Sequence, residues 1–490
     1  MSRKVVVAID LGTTGNRAIA FEKSGRVAAQ SYYEFTQFFP RAGWVEHDPH
    51  EILTTACRAL QDVLKRVGAR NVVSMGITNQ RETTILWDRR TGKPVYRAIV
   101  WQDRRTEKIC RVLKAHRSVL KRKTGLFLDP YFSATKIQWI LENVGGLRAR
   151  IKKGDILFGT PETWLLWNLT RGKSHLTEPS NASRTLLLNL KTAKYDPDLL
   201  KIFHVPRQIL PEIRSSDSIF GYTDKRVTGT PIPIAGILGD QQAALFAHAG
   251  WEKGIVKATY GTGIFVLGST HQELCHSDKL VTTIAWQTGK DLYYALEGSV
   301  FMGGASVQWL RDNLRFIKKS SESESIAKSM ADNEGIYFVP AFQGLGAPYW
   351  DPNARALLIG LSRKANTDNI VRAVLESLAY QVRDVMEEMT RTLHGRFKIL
   401  RVDGGACANN WLMQFQADLL RMPVDRPKVI ETTALGAAVI SGMASGFWTR
   451  EHLRQLRRID RVFSPRMNKR LADGYYAKWK NAVARSLKWA

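Results

Sequence analysis

Six short stretches of the chain bring carboxylates, hydroxyls, amides and glycines together in spacings that can do chemistry. Asp10-Leu11-Gly12-Thr13-Thr14 puts an acid at the end of an apolar run, followed by a glycine and two hydroxyls. Backbone N–H groups and threonine hydroxyls in such a loop can cradle a phosphate, and the carboxylate can hold Mg²⁺ through water. An ordinary hairpin with a capping aspartate is the plainer alternative. Three later glycine loops, Gly261-Thr262-Gly263, Gly303-Gly304-Ala305-Ser306 and Asp403-Gly404-Gly405-Ala406, offer backbone N–H groups to an anion, two of them just ahead of helices.

Gly239-Asp240-Gln241-Gln242 closes an apolar stretch. A carboxylate at a strand end, followed by amides, suits proton abstraction from a substrate hydroxyl, or the capping of a helix. Gln80-Arg81-Glu82 also ends an expected strand. Arginine as donor and glutamate as acceptor can bind neighbouring hydroxyls, or the pair can form an exposed salt-bridged turn. The histidines, His175 and His276 among them, show no metal-ligand spacing. The chain has no Walker A motif, no GxGxxG after the first strand and no GxSxG.

These residues need elements to hold them. Residues 4–10, 17–22 and 27–35 read as three strands separated by turns. Asp48-Pro49 opens a helix to about residue 67, with Asp as cap and Pro in the first turn. Residues 72–77, 83–87 and 95–101 read as further strands. Residues 255–260 and 264–268, around Gly261-Thr262-Gly263, repeat the opening strand, Gly-Thr loop, strand pattern. Helices are expected over 305–314 and 369–393, the latter with apolar Ile370, Val374, Leu378 and Val382 at helical period. A strand at 398–402 leads into Asp403-Gly404-Gly405, and a helix begins at 408–410. Residues 434–448 read as a buried helix. Residues 320–325, alternating Ser and Glu, read as a surface loop or helix start. The whole is an α/β chain of two domains, residues 1–248 and 249–490, with a cleft between them.

Composition agrees. The chain has 490 residues, 44% hydrophobic and 24% charged, a globular balance that excludes disorder, collagen and coiled coil and is enough for two separate cores. Four scattered cysteines, with no CxxC pair, argue against a disulfide framework and for a reducing, cytoplasmic setting. The run from Met1-Ser2-Arg3-Lys4 to Asp10 is too short for a signal peptide, and no stretch reaches the roughly 18 apolar residues of a membrane span. The formal net charge is +27, from 72 basic and 45 acidic residues. It attracts phosphorylated substrates, anionic membranes or nucleic acid, but no nucleic-acid-binding signature accompanies it, so solvated faces are the favoured reading. Residues 104–123 hold nine basic residues against Glu107, and Arg104, Lys108, Arg111 and Lys114 are spaced as one helical face.

Longer motifs carry a resemblance. Gly43-Trp44-Val45-Glu46-His47-Asp48-Pro49, Gly76-Ile77-Thr78-Asn79-Gln80-Arg81-Glu82, Asp129-Pro130-Tyr131-Phe132-Ser133, Asn181-Ala182-Ser183-Arg184-Thr185, Gly239-Asp240-Gln241-Gln242-Ala243 and Gly344-Leu345-Gly346-Ala347-Pro348-Tyr349-Trp350 all match one family. From about residue 5 to about residue 479 the chain resembles the FGGY carbohydrate kinases, and among them the members that phosphorylate glycerol. The resemblance implies two actin-like, ribonuclease-H-like domains closing over a central cleft. It implies ATP and Mg²⁺ as cosubstrate and cofactor, glycerol as acceptor, sn-glycerol 3-phosphate as product, and a homodimer or homotetramer. Asp240 matches the general base. Arg81, Glu82, Tyr131, Asp240 and Gln241 match the polyol contacts, with Trp101 and Phe265 against the carbon chain. Asp10, Thr13, Thr14, Gly15 and Arg17 match the phosphate loop, with Mg²⁺ on Asp10. Thr262, Gly304, Gln308, Gly405 and Asn409 match the nucleotide contacts. Leu11 and Gly15-Asn16 depart from the family's usual Gln and Ser-Ser. Pro231 stands where members inhibited by fructose 1,6-bisphosphate carry an Arg, which implies weak or absent inhibition by that compound.

Overall fold

The computed structural model describes residues 4–395 and 397–490; Met1-Ser2-Arg3 lie outside them. The first strand, β1 (Val5–Leu11), is buried on both faces except at Asp10, and so reads as a continuous apolar run rather than an alternating one. It pairs antiparallel with β2 (Gly15–Glu22), which pairs antiparallel with the half-exposed β3 (Val27–Glu34). Helix α1 (Pro49–Val67) begins as expected. The Asp48 carboxylate accepts the His50 N–H, Pro49 occupies the first turn, and Gly68 ends the helix at positive φ. Then β4 (Val72–Asn79) lies parallel to β1, and β5 (Pro233–Gly239) parallel to β4. With the short strand Gly221–Tyr222 outside β5, they make a six-stranded sheet.

The register positions the chemistry. Leu11 of β1 and Gly239 of β5 both stand opposite Asn79 of β4. The three parallel strands therefore end at one edge and deliver Asp10, Gln80-Arg81-Glu82 and Asp240 to the same place. Carboxyl ends of parallel strands are where α/β sheets bind ligands.

Helix α2 (Asp240–Ala247) follows β5 directly. The second half repeats the plan. Strand β6 (Ile255–Tyr260) turns through Gly261-Thr262-Gly263 into antiparallel β7 (Ile264–His271). Strands β8 (Val281–Thr288) and β9 (Asp291–Val300) follow, then α3 (Gly304–Asp312), and β10 (Ile399–Asp403) lies parallel to β6. The sheet runs β8-β9-β7-β6-β10, then Val424–Pro427 and Ile459–Phe463. Strand one with an antiparallel second and a parallel later strand thus recurs in both halves, as the repeated strand and loop pattern implies.

Helix α4 (Thr432–Ala444) is apolar almost all round and lies with α2 between the two sheets. Val6 and Ala8 from the first sheet, Leu267 and Ala295 from the second, and Leu245 and Ala438 from the helices share one buried cluster. Contact is backbone to backbone: a Cβ on Gly76 would collide with the Ala437 carbonyl oxygen, and one on Gly436 with that of Ala243.

Two expectations change. Residues 104–123 are not one helical face but two short helices, Glu107–Val112 and Arg117–Thr124, joined by a 3-10 turn. The charges are drawn to separate partners. Arg104 meets Asp129 at 3.0 Å, Lys123 meets Asp196 at 2.9 Å, and Lys121 donates to the Leu280 carbonyl at 2.6 Å. In the stretch 95–101 only Ala98–Ile99 is a strand, because Tyr96 and Arg97 turn toward Glu46. The polar stretch at 320–325 keeps the second of its two readings and opens a helix, Glu322–Ser329. The four cysteines are free. Among the described residues no helix is long and apolar enough to cross a membrane.

Candidate active site

A cavity of about 130 Å³ lies where β1, β4 and β5 end, closed from the second half by the β6–β7 turn. Arg81, Glu82, Trp101, Tyr131, Asp240, Gln241 and Phe265, the expected polyol contacts, all line it, with Thr13, Gln80, Thr259 and Gly261-Thr262-Gly263. The exposed-turn alternative for Gln80-Arg81-Glu82 fails, since all three are buried. Arg81 Nε lies 3.1 Å from Asp240 Oδ1, and its two terminal nitrogens grip Glu297 at 2.5 and 3.1 Å. Arg184 donates to Glu82 at 2.6 Å and to Glu297 at 2.8 Å. Both guanidiniums donate to the Tyr131 hydroxyl, at 3.3 and 3.4 Å. Trp101 stands edge-on to Tyr131 and to Phe265, with ring centres 5.7 and 6.0 Å apart, forming an apolar wall. Its indole N–H donates to Thr13 Oγ1 at 3.0 Å, tying this wall to the phosphate-type loop.

The two Asp240 oxygens differ. Oδ1 faces Arg81 and accepts the Gln241 backbone N–H at 2.7 Å; Oδ2 has only the Gln241 amide, at 3.3 Å. The side chain is 28% exposed, which leaves Oδ2 as the free proton acceptor. Burial raises the Asp240 carboxyl above the usual range, against the pull of Arg81 and with a push from Glu82. Glu297 goes the other way. Burial opposes its charge, but Arg184 and Arg81 together hold it down at about 2. Burial pushes the Tyr131 hydroxyl up, so it stays a neutral donor. Lys257, fully buried on β6 and donating to Gln241 Oε1 and Thr259, fixes which end of the Gln241 amide faces Asp240.

A second cavity, of about 470 Å³, is lined by Thr262, Gly304, Gln308, Gly405 and Asn409. It meets the first at Gly261 and Thr262. Gly404 must be glycine: its φ is +84°, and a Cβ there would lie 2.6 Å from the Tyr260 carbonyl oxygen. Beside it Gly405 has open space on its side-chain side. Opposite, the turn carrying Thr13 and Thr14 is closed by the Gly12 N–H donating to the Gly15 carbonyl at 3.1 Å. Arg17 pairs with Glu431 of the second half and lies 3.8 Å from Asp10.

Burial pushes the Asp10 carboxyl up to about 7, relieved in part by Arg17 and aggravated by Asp240 and Glu431. Such a carboxylate is short of positive charge. Among the described residues no three ligating side chains gather around a cation position. A cation on Asp10 would therefore complete its shell with phosphate oxygens and water, the habit of Mg²⁺. On that ground the residues fit the metal. Leu11 and Asn16, two of the departures from the family pattern, face away. Leu11 lies in the core under α1, and the Asn16 amide donates to the Ile52 carbonyl and the Thr55 hydroxyl, both at 2.8 Å.

Sequence reasoning missed several neighbours. Arg184 stands in a matched motif, yet nothing marked it as a pocket residue. Glu297 and Lys257 sit inside ordinary-looking strands. Ser320, Ser321, Ser323 and Glu324 line the larger cavity, where a polar run reads as surface.

The FGGY family of carbohydrate kinases matches twice: its N-terminal domain over residues 5–247 and its C-terminal domain over residues 256–445. The chain is 53% identical over 488 residues to a glycerol kinase of Aquifex aeolicus, and 51% identical over 493 residues to one of Thermoanaerobacter pseudethanolicus. Each alignment covers 99% of both chains. The crystal structure of Plasmodium falciparum glycerol kinase with ADP superposes with a TM-score of 0.92 at 36% identity, over 99% of this chain and 98% of that one. A ligand-bound xylulose kinase from Lactobacillus acidophilus shares the fold, with a TM-score of 0.87 at 20% identity over 99% of each chain.

Proposed function

The chain belongs to the FGGY family of carbohydrate kinases, and from that premise we propose that it transfers the γ-phosphoryl group of ATP to glycerol, giving sn-glycerol 3-phosphate and ADP. One observation carries the reading: a small cavity rich in buried polar groups opens onto a larger one at a shared Gly261-Thr262 turn. The small cavity suits a three-carbon polyol and the larger one a nucleotide. Residues 1–248 carry most of the polyol site and the phosphate loop, and residues 249–490 the nucleotide site.

Glycerol is small, uncharged and hydroxylated. Its recognition rests on buried polar groups left unpaired by a wrong ligand. Arg81 donates to a hydroxyl, Glu82 and Asp240 accept from hydroxyls, and the wall of Trp101 and Phe265 shields the carbon chain. Phosphoryl transfer asks little covalent chemistry of the protein; it asks for position and charge. Asp240 Oδ2 takes the proton of a terminal hydroxyl as that oxygen attacks the γ-phosphorus in line. The bond to the β–γ bridging oxygen breaks, ADP leaves, and Asp240 returns its proton to water. Arg81 on Oδ1 holds the carboxylate still through this exchange. Thr13, Thr14, Gly15 and Arg17 line the side where the transferring oxygens lie; Thr262, Gly304, Gln308, Gly405 and Asn409 hold the nucleotide. Mg²⁺ held through Asp10 supplies neutralising charge for the phosphate oxygens. Approach of the two halves excludes water and so limits hydrolysis of ATP.

The test is ATP-dependent phosphorylation by the purified chain, with glycerol against ribitol, erythritol and xylulose as competing acceptors. Glycerol is expected to dominate in kcat/KM. Dominance of a longer acceptor, or no transfer to any of them, would refute the assignment.

A further inference from the structure

Gly15 opens β2 beside the phosphate-type turn, and its missing side chain is replaced in space by another residue. A Cβ built on Gly15 would lie 2.5 Å from the Tyr32 hydroxyl oxygen, 2.6 Å from the Tyr33 carbonyl oxygen and 2.7 Å from the ring carbon bearing the hydroxyl. Main chain and the Tyr32 hydroxyl together therefore fill the volume of a side chain at position 15, and only the hydroxyl brings a donor there. It also lies 3.5 Å from Thr14 Oγ1.

The sheet register makes this placement more than a chance contact. Asp10 of β1 pairs with Arg17 of β2, and Arg17 pairs with Tyr32 of β3. Directly paired residues on neighbouring strands point to the same face. Asp10, Arg17 and Tyr32 thus form one row across three strands. Ala8 and Ile19, two positions along from Asp10 and Arg17, belong to the cluster around α2 and α4, so the row faces the second half of the chain. Tyr33 and Ser31 point the other way and bond Asp62 on α1. The Arg17 guanidinium stands over the Tyr32 ring, 5.4 Å from its centre, which ties the ring to the cation beside it. The ring is 43% exposed, unusual for an aromatic with so defined a set of neighbours.

We propose that Tyr32 is a phosphate-binding residue of the nucleotide site, its hydroxyl donating to the terminal phosphate of the triphosphate in place of a hydroxyl missing at Gly15. Thr14, Tyr32 and Arg17 then present two hydroxyls and a guanidinium on one rim. This rests on the reading of residues 12–17 as the phosphate loop. A hydroxyl donated to a charged oxygen is worth about tenfold or more in affinity, and the terminal phosphate is the group that distinguishes ATP from ADP.

Calorimetric titration of the full chain with ATP and with ADP, both with Mg²⁺ and without glycerol, tests it. Tyr32→Phe keeps the ring and removes only the hydroxyl. It is expected to weaken ATP about tenfold while ADP stays within about twofold. A truncation gives a second reading: Tyr32→Ala, which removes ring and hydroxyl together, is expected to weaken ATP at least as much as Tyr32→Phe while ADP again changes little. A Tyr32→Phe chain that binds ATP as the wild type does, or that loses ATP and ADP equally, overturns the proposal. Wild-type chain that binds neither nucleotide would instead overturn the kinase reading beneath it.

Discussion

Arg81 and Glu297 come from opposite halves of the chain and meet in a two-pronged ion pair, at 2.5 and 3.1 Å, with both side chains out of solvent. The smaller cavity is therefore not the property of one half. Its arginine is anchored by a strand of the other, and Arg184 completes the arrangement by touching both Glu82 and Glu297.

Glu297→Gln should be among the most destructive single changes in the chain. It leaves Arg81 and Arg184 buried with one counter-charge fewer, and breaking a buried pair costs about 3–5 kcal/mol. Denaturant unfolding at neutral pH should show that loss, and the KM for glycerol should rise at least tenfold. Because the native pair depresses the Glu297 pKa to about 2, its contribution is complete above the unfolded value and lost as pH falls through about 2. The stability gap between wild type and variant should shrink in strong acid.

Arg81→Ala is expected to act on two quantities. Sequence alone suggests lost ground-state contacts and a higher KM for glycerol. The 3.1 Å contact to Asp240 adds a second effect: without that cation the Asp240 pKa rises further, so the acid limb of the kcat profile should move to higher pH. A KM effect with an unmoved limb would separate Arg81 from the base.

Asp240→Asn should lower kcat by roughly two orders of magnitude or more, as loss of a general base does, while glycerol binding stays within a few-fold by calorimetry. In the wild type, burial holds the Asp240 pKa above the ordinary carboxylate value, so activity should begin to fall at a pH higher than a solvated aspartate would give. Near-normal turnover in the Asn variant would remove Asp240 from the base role.

Asp10→Asn should stabilise the protein and impair it. The half-buried Asp10 carboxyl, largely desolvated, has its pKa raised to about 7. A raised acid favours folding below its unfolded pKa and loses that contribution as pH climbs through its folded one. At pH 8 the charge is a liability the amide does not carry, worth roughly 2–4 kcal/mol. A higher melting temperature at pH 8, a smaller difference at pH 5 and a weaker Mg²⁺ dependence of activity are the expected set.

Phe265→Ala should loosen selection by size. The ring closes one side of a cavity of only about 130 Å³. Selectivity for glycerol over erythritol, as a ratio of kcat/KM, should fall about tenfold, the scale on which an apolar wall discriminates by one carbon.

Much of this was legible from residue types. Asp10, Arg81, Glu82 and Asp240 each follow an apolar strand, and strand ends on one sheet edge converge whatever else the fold does. The glycine turns were legible because Gly404, at positive φ against the Tyr260 carbonyl, allows no other residue. Glu297 was not legible, since its partner lies 216 residues away and a mid-strand glutamate looks like a solvent-facing one until the second strand layer is known. Ser320 to Glu324 were legible as a helix start but not as the lining of the larger cavity, because a polar cavity lining and a polar surface have the same composition. The basic run at 104–123 followed helical spacing, but local turns and separate carboxylate and carbonyl partners broke the helix before its face could form.

The seating of Gly76 on Ala437 and of Gly436 on Ala243 makes α4 a keystone. Where main chain rests on main chain there is no side-chain layer to take up added volume. Asp240 begins the very helix that bears on Gly436. A methyl group added at either glycine would act as a wedge, and the displacement would reach the carboxylate at that helix's first residue.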